Sequence, residues 1–180
     1  MQKLFLLMLF AGALYSAETR REITKAAPVP GDDAKGLSDK VPDVYAIKGN
    51  FDRVLVLRLK HKTDLLAGME KMVKEEKIKN AVILSAAGGL RGFHIHQVSN
   101  RDFPSKNVFV KDPEMPSDLI SMNGYIINGR IHAHMTLATA DKAFGGHLEA
   151  GNEVFTFAIV TIGVLNNGAD LSKVDDKSYR

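Results

Sequence analysis

Residues 119–139, "LISMNGYIINGRIHAHMTLAT", decide how this chain folds. Two runs rich in β-branched and aliphatic residues flank Asn128–Gly129. Asn-Gly is the strongest short hairpin signal, because both central positions of a type I′ turn require positive φ. Pairing about that turn sets Tyr125 opposite His132 and Asn123 opposite His134. Residues two apart on a strand share a face, so His132 and His134 project side by side.

The adjoining stretch, "ATADKAFGGHL" over 138–148, reads as a second hairpin turning at Asp141–Lys142. That turn pairs His147 with Thr136 and puts it on the face of His132 and His134, diagonal to His134 at a Cβ distance of roughly 7 Å. Three neutral imidazoles so placed can close on one ion at ~2.0–2.1 Å per nitrogen and leave a fourth position open. Parity carries the expectation, since a three-residue loop without a bulge would send His147 to the opposite face. Gly145–Gly146 provides for a bulge or a close backbone approach. Tyr125 and Asn123 would stand by as hydrogen-bonding neighbours of the ligands. For such a donor set zinc is the default, with iron, copper or nickel as alternatives.

The rest of the chain bounds what this site can belong to. The 180 residues are 45% apolar and 25% charged, enough for one ordinary domain. Met1–Ala17 carries one charge, Lys3, an apolar run Leu4–Phe10, and then small residues, which is the pattern of a secretory signal peptide. The run is too short for a lasting bilayer span of ~30 Å. The formal charge of +3 falls to +2 without this leader, a balance that gives no reason to expect nucleic acid. There is no cysteine, so disulfides, thiolate metal sites and cysteine nucleophiles are excluded, and any metal must rest on histidine and carboxylate.

Residues 18–43 hold Pro28, Pro30, Gly31, Gly36 and Pro42 among mixed charges, which predicts a flexible linker. A domain over 44–168 follows, with a flexible tail over 169–180. Within the domain, "YAIKG" and "RVLVLRLK" predict two strands about Gly49–Asn50. Leu65, Leu66, Met69, Met72 and Val73 follow helical spacing, with Thr63 or Asp64 as N-cap. "AVILSAAGG" and "GFHIHQV" read as strands. Asn100–Ser117, with three prolines, reads mainly as loop with a short strand at Val108–Val110. "VFTFAIVTIGVL" reads as a central strand buried on both faces. The sum is an α+β domain, a mainly antiparallel sheet with a packed helix.

Other residues invite chemistry. His94 and His96 repeat the i, i+2 pattern, but with no third ligand evident nearby they read as incidental on a half-exposed strand; extending the site or forming another are the alternatives. His61 lies in a basic turn and reads as solvated. Arg91 in "GGLRG" is a candidate for holding an anion, since a guanidinium grips a carboxylate bidentately.

The block "IHAHMTLATADKAFGGHLEAGNEVFTFAIVTI", with "GLRG" and "SMNGYI" before it in order, resembles the PPC domain (plant and prokaryote conserved domain). The likeness runs from Arg53 to Leu165 and is most specific in the H-x-H…GGHL block. It implies an α+β fold similar to that of acetolactate decarboxylase and of a zinc-dependent ester hydrolase, assembly as a homotrimer, and metal-ligand roles for His132, His134 and His147. The chain departs from the family in His94 and His96, and in "HLEAG", where the acid follows the leucine directly. Plant members join this domain to an AT-hook and act on chromatin. No R-G-R-P hook is present here.

The expectation is therefore an exported protein, periplasmic or extracellular, that binds zinc or another divalent transition metal. In one reading it is a metal-dependent lyase or hydrolase on a small anionic substrate, with Arg91 orienting the anion and Tyr125 or Glu149 handling protons. In the alternative it is a non-catalytic oligomeric module that binds or senses the metal. DNA binding is a third and weaker reading.

Overall fold

The computed structural model describes residues 22–23, 27–28, 42–172 and 174. The expected leader, most of the expected linker and the end of the expected tail lie outside the described residues. The elements run β1 (Glu22–Ile23), β2 (Ala27–Pro28), β3 (Phe51–Lys60), α1 (Leu65–Glu75), β4 (Ala81–Leu90), β5 (Phe93–Val98), β6 (Lys106–Asp112), β7 (Ser117–Ile127), β8 (Arg130–Ala138), β9 (Ala143–Leu148) and β10 (Val154–Leu165). They form one ten-stranded sheet in the order β1-β6-β5-β9-β8-β7-β4-β10-β3, with β2 also on β6. Every pairing is antiparallel. A mainly antiparallel sheet with one helix is thus the observed architecture.

Alternation along the strands sorts the side chains. On β8, Ala133, Met135 and Leu137 are buried while His134 and Thr136 are exposed. The inward set joins Leu65, Met69 and Val73 of α1 and Ala158, Val160 and Ile162 of β10 in one apolar cluster. α1 begins where Asp64 accepts a hydrogen bond from Ala67 N at 2.9 Å, so Asp64 rather than Thr63 is the cap. Its other oxygen accepts from Gly151 N and Asn152 N, which fastens the helix start to the loop after β9.

Several expected elements differ. "YAIKG" forms no strand: β3 is the sheet's edge and begins at Phe51, and Asn50 O instead accepts from Asn166 N at 2.9 Å. The expected loop between prolines contains a full strand, β6, because Lys106–Asp112 pairs along the whole of β5. Part of the expected linker also pairs, with Glu22 opposite Lys111 and Ala27 opposite Asn107. Where the expected tail begins, Ala169 and Leu171 are buried, and Asn80 Nδ2 donates to Ala169 O at 3.0 Å. Finally, β10 is not buried on both faces throughout. Phe155, Phe157 and Ile159 point out from the sheet and are exposed among the described residues, whereas Gly163 further along the same face lies under the Phe51 ring.

Candidate metal centre

The Asn128–Gly129 turn forms as the sequence requires, with φ of 51° and 79° at its two central residues. Tyr125 pairs with His132 and Asn123 with His134. The second hairpin closes differently. Its last pair is Ala138–Ala143, and Thr139 N donates to Lys142 O at 2.9 Å across a four-residue loop. The register slides by two relative to the expected one, so Thr136 faces Gly145 and His147 stands directly opposite His134. A slip of two preserves side-chain parity. His147 therefore keeps the face of His132 and His134 and comes closer to them than the diagonal position would.

The three rings gather across β9 and β8. His147 lies edge-on to His132 and His134, with centroids 4.9 and 5.1 Å away, while His132 and His134 are 5.6 Å apart. The three residues offer ligand nitrogens that all lie within 4.8 Å of one another. A tetrahedral ion needs its ligand atoms about 3.4 Å apart, as Zn–N bonds of ~2.0–2.1 Å dictate. Small ring rotations supply the difference, so the donor set fits a divalent transition metal.

Neither glycine before His147 makes a bulge. Both serve close approach instead: a Cβ on Gly145 would strike Met135 O, and one on Gly146 would strike His96 O. The second of these contacts is what admits β5, and it brings in a residue that the sequence reading set aside. His96 pairs with His147 in register, and its ring stacks on that of His147 at 4.4 Å and 25°. His96 Nδ1 lies 2.5 Å from Glu149 Oε1. Pairing of β5 with β9 is long-range and leaves no local trace. The i, i+2 repeat at His94 and His96 was the one available signal. His94 itself turns to Ala150 O, 2.7 Å from its Nδ1.

Electrostatics favour free lone pairs. Burial pushes the His147 imidazole down to about 4, helped by His96, His132 and His134 and opposed by Glu149. Burial, then His132 and His96, lower His134 as well. Both rings are accordingly neutral at pH 7, the form that binds a metal.

The remaining candidates are placed as follows. Tyr125 sits on the imidazole face beside His132 and is exposed. Glu149 is engaged with His96. Arg91 is ion-paired with Glu153 and is not among the residues lining the space beside the imidazoles. The guanidinium that does line it is Arg130, which follows the Asn128–Gly129 turn. A cleft of about 180 Å³ opens there, bounded by Asn128, Arg130, His132, His147 and Ser172.

Residues 46–166 match the Plants and Prokaryotes Conserved (PCC) domain, also written PPC, over more than half of the chain. The chain belongs to the PCC domain family. Among solved structures, a metal-containing protein of Archaeoglobus fulgidus is 25% identical with a TM-score of 0.60, over 70% of this chain and 89% of that one. A PPC protein of Pyrococcus horikoshii is also 25% identical, with a TM-score of 0.57, over 69% and 86% of the two chains. A candidate DNA-binding protein of Bacteroides thetaiotaomicron shares the fold at 13% identity and a TM-score of 0.51, over 64% and 83%. No curated protein matches the PCC chain in sequence.

Proposed function

We propose that this PCC protein is exported and holds a divalent transition metal, zinc by default, through His132, His134 and His147. The observation that carries the reading is the shared face of three imidazoles whose ligand nitrogens lie within 4.8 Å of one another. The metal-containing relative from Archaeoglobus fulgidus supports it. The apolar Met1–Ala17 segment supports export. Three protein nitrogens leave a coordination position open, and an ion so held supplies Lewis acidity.

The cleft beside His132 and His147 suits a small anionic ligand, with Arg130 in the role first assigned to Arg91. Tyr125 flanks the same face and can exchange a proton with what binds there. A lyase or hydrolase acting on a small carboxylate fits these parts, and the fold likeness to acetolactate decarboxylase that the family resemblance implies would agree with it by analogy. A non-catalytic metal-binding module is the second reading, favoured by the exposed apolar face of β10, which suits assembly with further copies.

Elemental analysis of the protein purified without added chelator tests the proposal. One equivalent of metal per chain is expected, falling by at least tenfold when His132, His134 and His147 are all replaced by Ala. A wild-type protein free of stoichiometric metal, or a triple variant that retains it, overturns the assignment.

A further inference from the structure

The imidazole face carries a second set of donors. His96, His147 and Glu149 offer ligand atoms that also lie within 4.8 Å of one another, and all three are half-buried. His96 Nδ1 and Glu149 Oε1 are 2.5 Å apart, within hydrogen-bond distance. The His96 ring is stacked against that of His147 at 4.4 Å.

The backbone holds this trio in place. Glu149 begins the turn out of β9, and buried Asn152 donates from Nδ2 to Glu149 O at 2.5 Å and to His94 O at 2.8 Å. Asn152 Oδ1 in turn accepts from His94 N. The loop bearing the carboxylate is thus stitched to the strand bearing His96. Asp64 grips the same loop through Gly151 N and Asn152 N. A carboxylate kept only to solubilise a surface would need none of this.

We propose that His96, His147 and Glu149 form a second cation position on the imidazole face. It rests on the reading that the imidazole face binds a metal. A neutral imidazole has one nitrogen lone pair, so His147 can serve only one of the two positions at a time. The face therefore takes one ion with a choice of seats. The first seat is neutral and all-nitrogen; the second contains an anionic oxygen, so ions with more taste for carboxylate, such as manganese, lose less there than zinc or copper do.

The test titrates metal-free full chain with zinc chloride and with manganese chloride, following heat and stoichiometry, with circular dichroism melts to confirm folding. Wild type is expected to take up one equivalent of zinc. The double variant His132→Ala/His134→Ala should still take up one equivalent, with zinc affinity lowered at least tenfold and manganese affinity lowered less. Adding Glu149→Gln to that double variant should abolish the remainder. A folded double variant that binds neither ion, while wild type binds zinc, overturns the second position and leaves the three-histidine site standing. Residual binding unmoved by Glu149→Gln, or two equivalents in wild type, also overturns it. If wild type binds no ion, both assignments fall together.

Discussion

At the scale of single residues, His147 is the hinge of the site, since it faces His134 on one side and His96 on the other. Its ring is held down to about 4 against an ordinary value of 6.5. The folded state resists a proton that the unfolded chain accepts, so the contribution of this ring to the metal-free protein is fully present above about pH 6.5. That contribution is lost as pH falls from there through 4. Partial exposure keeps the slope below the ~1.4 kcal/mol per pH unit that one proton sets as a limit. Thermal melts of metal-free protein between pH 7.5 and 4 should show this decline, and His147→Gln should flatten its upper part, between pH 6.5 and 5. An unchanged profile in the variant would assign the decline to other groups. The sequence disclosed His132, His134 and His147 as a set because strand parity is local arithmetic. His96 escaped it because what places it beside His147 is distance in space, not in number, whereas Arg130 shares the strand parity of His132 and was passed over.

At the scale of elements, the β8–β9 hairpin makes the site, and its loop is the most sensitive part. The sequence placed the turn near Asp141–Lys142, and the four-residue closure slid the register by two, which cost nothing in parity. A one-residue change is different. Inserting one Gly between Ala140 and Asp141 is expected to turn His147 away from His132 and His134, or to force a bulge. The measurable outcome is a loss of metal affinity of at least tenfold in a protein whose circular dichroism spectrum is preserved. Inserting two residues, which restores parity, should recover most of it. Gly146 is a second control point: its missing Cβ lets His96 O approach, so Gly146→Ala should push β5 from β9. Denaturant titration should show a cost of about 1–3 kcal/mol, the range for overpacking a fitted site. β6 was only partly legible, because prolines mark where a strand stops and say nothing of what pairs with it.

At the scale of the whole molecule, the sheet packs one side on α1, and its other side exposes apolar side chains among the described residues. Val54, Val56, Leu84, Phe155, Phe157 and Ile159 lie exposed across β3, β4 and β10, with Val56 at 68%. Exposed apolar side chains gathered on one face suit an interaction surface. The trimer implied by the PPC likeness would cover it, and light scattering should then return a mass near three chains. Val56→Glu with Phe157→Glu should give a single-chain mass, because a charge on each of two neighbouring strands costs more than the contact returns. A wild type that runs as a monomer at all concentrations would remove the trimer. The run 154–165 was read as buried on both faces because it is apolar nearly throughout, yet Phe155, Phe157 and Ile159 are exposed among the described residues.

What the sequence determined by itself is whatever depends on neighbours along the chain. That covers the antiparallel class, the helix, the Asn128–Gly129 turn, and the three histidines on one face, because turn chemistry and two-residue alternation are local rules. Only the tertiary structure decided which strands lie side by side. β5 against β9 brought His96 to His147 and to Glu149. Those choices follow from burying one face of ten strands at once, a condition that no stretch of sequence carries alone.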